Sequence, residues 1–278
     1  MMKTYANGKI EVTTDGPVTI VTVNRPDVRN ACDMETVKGL HDAFADFEKD
    51  EQARIGILTG AGPYFCAGAD LEEVSSGASI GFSWAGTDKG ATRRRLDKPV
   101  IAAVEGHAVA GGLELALWCD LRVMADNAVL GVFCRRFGVP LIDGGTVRLP
   151  RLIGRARALD LVLTGRPVHA EEALSIGLAT RVVPAGSAFT EALSLARQIS
   201  AFPQLCLRHD RLSLLEQEDL DYDAAIANEL THGMVPLTHE SVAGATRFKQ
   251  GQGRHGGFSA DVPAHAPDDT PDTRSAPV

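Results

Sequence analysis

A single carboxylate inside an apolar run is the residue whose chemistry needs explaining first. In "EGHAVAGGLELALWCD", residues 105–120, Glu114 stands among Leu113, Leu115, Ala116, Leu117 and Trp118. Burying a carboxylate without partners is costly, so it either points to solvent or has a function. Just before it, Gly111 and Gly112 lead into the helix-like segment. The first N–H groups of a helix have no internal partner and sit at the positive end of its dipole. A second stretch, "GAGPYFCAGADL" (residues 60–71), gathers Gly62, Ala67, Gly68 and Ala69 behind a strand-like run. Residues this small let backbone approach a ligand closely. One N–H from each stretch would give two donors for a carbonyl oxygen that gains negative charge. A carboxylate one helical turn further on can then move a proton at a carbon near that carbonyl. Each signal alone is weak. Gly-Gly before a helix is commonly a tight turn, small residues serve close packing, and periodicity leaves Glu114 free to face core or water.

The elements that must position these residues alternate between strand and helix. "VTIVTV" (Val18 to Val23) reads as a strand closed by Asn24 and Pro26, "RIGILTG" as a second, "PVIAAVEG" as a third and "LRVMA" as a fourth. Between the first two, Asp33 is placed to cap a helix with an apolar stripe of Val37, Leu40, Phe44 and Phe47. The pattern predicts an α/β core with strands buried on both faces. After Gly144 the composition turns helical, with segments ending at Gly154 and Gly165, a short helix in "HAEEALSIGLA" and a brief strand at Arg181 to Val183. Amphipathic segments follow near 187–200, 204–217 and 221–249, the last expected to break at Pro236. No internal repeat is visible in the sequence. The domain reading is an α/β core over 1–200, a helical region over 201–256 and a disordered tail over 257–278, rich in Pro, Ala, Asp and Ser.

Bulk properties narrow the classes. The chain has 278 residues, 44% of them hydrophobic, and a formal charge of −8. With no basic run longer than Arg93, Arg94, Arg95, nucleic-acid binding is disfavoured. Those arginines read as a solvated helix face. Five scattered cysteines with no CxxC pair argue against a disulfide framework or a zinc site, and for reduced thiols in the cytoplasm. The beginning of the chain has neither an apolar signal core nor an Arg-rich transit pattern. No apolar run nears the roughly 18 residues that a membrane span needs.

Four stretches, "NRPDVRNA", "GAGPYFCAGADL", "AVEGHAVAGGLELALWCDLRVMA" and "FGVPLIDGGTVRLPRLIG", resemble the enoyl-CoA hydratase/isomerase (crotonase) superfamily in their order and spacing. The resemblance runs from about Val18 to about Pro184 and more loosely to about Phe248. It implies a ββα spiral core with a helical C-terminal trimerisation region, assembled as homotrimers or homohexamers. It implies an acyl-CoA thioester substrate, with coenzyme A as part of that substrate and no separate cofactor or metal. The oxyanion hole would use the N–H groups of Ala69 and Gly111. Arg25, Val28, Ala67, Asp70, Leu71 and Gly112 would line the substrate site, Asp70 by holding its loop through backbone N–H groups.

Hydratases of this family share acid/base work between two glutamates. The first matches Glu114. Cys134 stands where the second would be, and a thiol with a reference pKa of about 8.5 is a poor substitute. The same alignment puts Asp143 where other members carry a catalytic aspartate, so the pair here would be Glu114 and Asp143. Asp143 could instead cap the helix after Gly144, and Cys134 could be a small buried residue. Trp118 and Phe133 read as core, and His107 as structural. The expected activity is reversible addition of water to a 2-enoyl-CoA. Enoyl- or dienoyl-CoA isomerisation stands second, and a non-catalytic acyl-CoA-binding role is the alternative from another class.

Overall fold

The computed structural model describes residues 2–77 and 90–253; the tail expected over 257–278 lies outside the described residues. The main sheet has seven strands, numbered in chain order: Lys3–Tyr5 (β1), Ile10–Asp15 (β2), Val18–Val23 (β3), Ile55–Gly60 (β4), Val100–Val104 (β5), Leu121–Ala125 (β7) and Arg181–Val183 (β10), hydrogen-bonded in that sequence. His107–Val109 (β6), Val129–Gly131 (β8) and Pro167–His169 (β9) form a second, three-stranded sheet. β1, β2 and β3 pair antiparallel, and every pairing from β3 across to β10 is parallel. β4 and β5 are buried almost throughout, which is why they read as continuous apolar runs rather than alternating ones.

Four successive units repeat one path: main strand, a short pairing in a second layer, then a helix. After β3 the chain bridges at Cys32 to Ala69 and enters Met34–Lys49 (α1). After β4 it bridges at Cys66 to Ala108 and enters Leu71–Ser75 (α2). After β5, β6 pairs with β8 and leads into Gly111–Trp118 (α3). After β7, β8 runs through a 3-10 turn, Phe133–Phe137, toward Gly145–Ile153 (α4). The loops at the carboxyl ends of parallel strands are therefore collected together, where ligands of open α/β sheets bind. The repeat escapes the sequence because its second-layer pairings are single bridges or three-residue strands.

Asp33 caps α1 by accepting from the Thr36 N–H at 2.8 Å, and Val37, Leu40, Phe44 and Phe47 are all buried. α1 packs against β1, β2 and β3. After Arg155–Thr164 (α5) and Ala170–Ser175 (α6), Ala188–Ser200 (α7) packs across β3, β4, β5, β7 and β10. α3 differs from both: every residue from Gly111 to Leu117 is buried, so it is a core helix without a solvent face.

The chain forms two compact units, Met1–Phe202 and one beginning at Pro203. The second contains Gln204–Glu216 (α8), Tyr222–His239 (α9) and Ser241–Lys249 (α10). The break expected at Pro236 falls at Glu240 instead. Thr238 Oγ1 donates to the carbonyls of Met234 and Val235, which holds the last turn beyond the proline, and the Glu240 carboxylate accepts from the N–H groups of Leu205 and Cys206 at the corner. Leu214, Ile226, Leu230, Met234, Leu237 and Phe248 are exposed on this unit. Among the described residues no helix is long and apolar enough to cross a membrane, and no cluster of His, Cys, Asp or Glu could hold a metal ion.

Candidate active site

Three loops meet at the carboxyl ends of the parallel strands, and backbone hydrogen bonds join them. The Ala67 N–H donates to the Arg29 carbonyl at 3.0 Å, the Cys32 N–H to Gly68 at 2.8 Å, and the Asp70 N–H to Cys32 at 2.9 Å. On its other side the same loop joins β6: the Cys66 N–H donates to His107 at 2.9 Å and the Val109 N–H to Cys66 at 3.1 Å. Two glycines permit this closeness. A Cβ on Gly112 would lie 2.0 Å from the Cys66 carbonyl oxygen. Gly68, at φ +95°, would place a Cβ 2.8 Å from the Gly111 nitrogen and 2.8 Å from the Ala110 Cβ. Ala69 is thus held beside the start of α3.

Ala110, which precedes that helix, has φ 54° and ψ −125°, a conformation that residues with a Cβ rarely adopt. Strain of this kind costs about 1–3 kcal/mol and persists where the surroundings impose it, often at functional sites. Among the described residues, neither the Ala69 N–H nor the Gly111 N–H has a protein acceptor. Two uncommitted donors on adjoining, tightly fixed loops suit an oxygen that gains negative charge.

Glu114, one turn into α3, is 2% exposed, so the solvent-facing alternative does not hold. Its Oε1 accepts from the backbone N–H groups of Asp143 and Gly145, each at 2.8 Å. Gly145 has to be glycine for this, because a Cβ there would lie 2.8 Å from the same oxygen. Burial pushes the Glu114 carboxyl up to about 7; the Gly145 N–H opposes the rise and the Asp143 charge adds to it.

Asp143 is also buried and does not cap α4. Gly144 holds the cap position, and the Asp143 Oδ1 accepts from the Thr92 hydroxyl at 3.0 Å instead. Burial raises its pKa, while the Thr92 hydroxyl and the charges of Arg93 and Arg148 oppose the rise. Cys134 is 6% exposed, and burial raises the thiol's pKa, with the Glu114 charge adding to the effect. A thiol held protonated beside Glu114 does not replace a carboxylate.

The remaining residues sort plainly. Val28 and Leu71 are exposed and Ala67 is half-buried. Arg25 and Asp70 are brought to each other at 2.9 Å, with Arg25 also bonding the Ala31 carbonyl and lying near Asp33. Asp70 in addition accepts from the Glu72 N–H at the start of α2. Their polar ends thus fasten the loops, while Gly112 serves close packing. Trp118 lies edge-on to Phe44 and donates to the Arg94 carbonyl, as a core residue would. The His107 ring lies against Tyr64. Arg93 is on a 3-10 turn, Ala91–Arg93, rather than on a helix face, and donates to the Ile142 carbonyl at 2.6 Å.

Sequence reading missed Thr92 and Arg148. The Arg148 guanidinium donates to the Asp143 carbonyl at 2.9 Å and to the Thr92 carbonyl at 2.6 Å. The one available signal was Arg148 standing three residues past Gly145, and it says nothing of a partner some fifty residues earlier.

The model of the enoyl-CoA hydratase/isomerase family matches residues 13–249. Enoyl-CoA hydratase EchA19 of Mycobacterium tuberculosis is 38% identical over 243 residues, covering 84% of this chain and 91% of that protein. A short-chain-enoyl-CoA hydratase of Clostridium acetobutylicum is 36% identical over 219 residues, covering 77% of this chain and 84% of the relative. The crystal structure of enoyl-CoA hydratase EchA1 from Mycobacterium marinum superposes with a TM-score of 0.81 at 33% identity, covering 87% of this chain and 96% of that one. With its fold, its paired loops and this extent of likeness, the chain belongs to the enoyl-CoA hydratase/isomerase family.

Proposed function

We propose that this protein adds water reversibly to 2-enoyl-CoA thioesters. The observation that carries the reading is the buried Glu114 carboxyl, one turn past the uncommitted Gly111 N–H and held by two backbone donors on the Asp143 loop. The thioester oxygen would accept from the Ala69 and Gly111 N–H groups. Water would add at the β carbon, giving one proton to an ionised carboxylate of the Glu114–Asp143 pair. The electron pair of the double bond would move toward the thioester, and its oxygen would carry the enolate charge between the two N–H groups. The protonated member of the pair would then deliver a proton to the α carbon. A carboxyl near 7 is half-ionised at neutral pH, which suits a group that must both take and give a proton. The enolate charge is met by backbone dipoles, so the scheme draws on no cofactor beyond the coenzyme A of the substrate. The exposed Val28 and Leu71 would flank the entrance, with Ala67 inside it.

One observation favours a second reading. Cys134 offers no second glutamate, and double-bond isomerisation needs only one carboxylate to carry a proton between two carbons. Turnover of saturated, 2-enoyl, 3-enoyl and dienoyl thioesters, followed by mass spectrometry, separates the readings. Hydration adds the mass of one water, whereas isomerisation leaves the mass unchanged. No change in any thioester would leave only acyl-CoA binding. The exposed apolar residues of α8, α9 and α10 support assembly as a homotrimer or homohexamer. Sedimentation giving a stable, active monomer would contradict that.

A further inference from the structure

Arg148 stands behind the acid/base pair rather than in it. Its fork closes two elements onto each other: one arm reaches the Asp143 carbonyl at 2.9 Å, the other the Thr92 carbonyl at 2.6 Å. Thr92 returns the contact through its hydroxyl to Asp143 Oδ1 at 3.0 Å. The guanidinium lies directly over Gly144, where an added Cβ would be 2.1 Å from its Nη1. Gly144 tolerates this because it has no Cβ, and its φ of +94° turns the chain so that the Asp143 and Gly145 N–H groups both reach Glu114 Oε1. A lysine could supply charge here but not two fixed donors.

We propose that Arg148 is the positioning residue that sets the working pH of the Glu114–Asp143 pair, by holding the 143–145 backbone against Glu114 and by placing one cation beside two buried carboxyls. This deepens the hydratase reading and rests on it. Among the described residues, three other ionisable groups act on the pair or on Arg148. Arg93, on the Ala91–Arg93 turn, lowers the Asp143 pKa, and Cys134, on the turn after β8, feels the Glu114 charge. Cys119, at the end of α3, faces Arg148. Arg93 is exposed and screened by solvent, so Arg148 is the half-buried cation that the pair relies on. Activity requires one carboxyl ionised and one protonated, and such a coupled pair gives a bell-shaped pH profile with two macroscopic limbs.

The test compares Arg148→Gln with Arg148→Lys on the full chain. Gln loses the charge and keeps a single amide nitrogen as donor; Lys keeps the charge and likewise gives up the two-armed fork. With crotonyl-CoA, Arg148→Gln should move both limbs of the kcat profile upward by about one pH unit or more, with KM little changed. Arg148→Lys should leave the limbs in place and lower kcat. If both variants lose kcat equally at every pH with unmoved limbs, Arg148 is only structural and the proposal fails. If Arg148→Gln does not fold, NMR of the unmutated protein decides: the Arg148 guanidinium 15N resonance should titrate with the same midpoint as the Glu114 carboxyl carbon, and a flat response overturns the proposal. The NMR midpoint needs no turnover. An unmutated chain inactive on every thioester would therefore sink the hydratase reading while the coupling of Arg148 to Glu114 could still be measured.

Discussion

The two walls of the site are built on opposite principles. One is backbone: Ala69 and Gly111 present N–H groups, and everything around them, from Gly68 at φ +95° to Gly112 under the Cys66 carbonyl and the strained Ala110, fixes main chain against main chain. The other is side chain: Glu114 and Asp143 are buried carboxyls whose protonation depends on a threonine, an arginine and two amides. A backbone wall has no titratable group, so its contribution should not vary with pH. A carboxylate wall gains proton chemistry at the cost of desolvation, and its function and stability should both follow pH.

The sharpest way to break the comparison is Glu114→Gln, which keeps the size of the side chain and an oxygen for the Asp143 and Gly145 N–H groups. It should lose roughly 10²–10⁴ in kcat on the preferred thioester, with the dissociation constant measured by calorimetry little changed. Gly68→Ala attacks the other wall. Its Cβ would strike the Gly111 nitrogen and Ala110, so it should lose roughly 10²–10³ in kcat. Unlike a carboxylate variant, it should leave the limbs of the pH profile where they were.

The pH dependence of stability gives a third contrast. The folded pKa of Glu114, about 7, lies above its ordinary value of 4.5. Below the ordinary value the carboxyl is neutral in both states and imposes no penalty. As pH rises toward the folded pKa, the unfolded chain ionises first and stability falls. Denaturant unfolding of Glu114→Gln should therefore show a gain of about 3 kcal/mol over the unmutated protein at pH 8 and little difference at pH 4. A gain that is the same at both pH values would mean that the carboxyl is not desolvated as described. The smallest effect expected is that of Thr92→Val, which removes one hydrogen bond to Asp143. It should cost about 1 kcal/mol of stability, and it should move the pH profile of the pair slightly upward because the Asp143 carboxylate loses a donor.

The backbone wall was the more legible one in sequence, and the reason is physical. Main chain that approaches main chain so closely excludes side chains, so Gly68 and Gly112 had to be glycine, and the clustering of small residues pointed to the candidate site in the sequence. Glu114 was legible as an anomaly among leucines. The sequence could not say which way it faced, because α3 is buried on every side and has no amphipathic pattern to read. β3, β4, β5 and β7 followed from their apolar, β-branched runs and α1 from its apolar stripe and the Asp33 cap, whereas the edge strands β1 and β2 and the short strands β6, β8 and β9 were not foreseen. Nor were the second-layer bridges at Cys32 and Cys66, since single-residue pairings carry no periodicity. Asp143 could be read as a cap or as a carboxylate partner, and the capping role is set aside only by the hydroxyl of Thr92, 51 residues away in the chain, which takes up its side chain.

The central claim is that both walls face one thioester, and a crystal structure with a non-reactive acyl-CoA bound tests it most directly. The account predicts the thioester oxygen at about 2.7–3.1 Å from both the Ala69 and Gly111 nitrogens, with the Glu114 carboxyl next to the α and β carbons of the acyl chain. An oxygen bonded elsewhere, with either N–H taken up by a protein acceptor, or a Glu114 carboxyl turned away from the acyl chain, would contradict it.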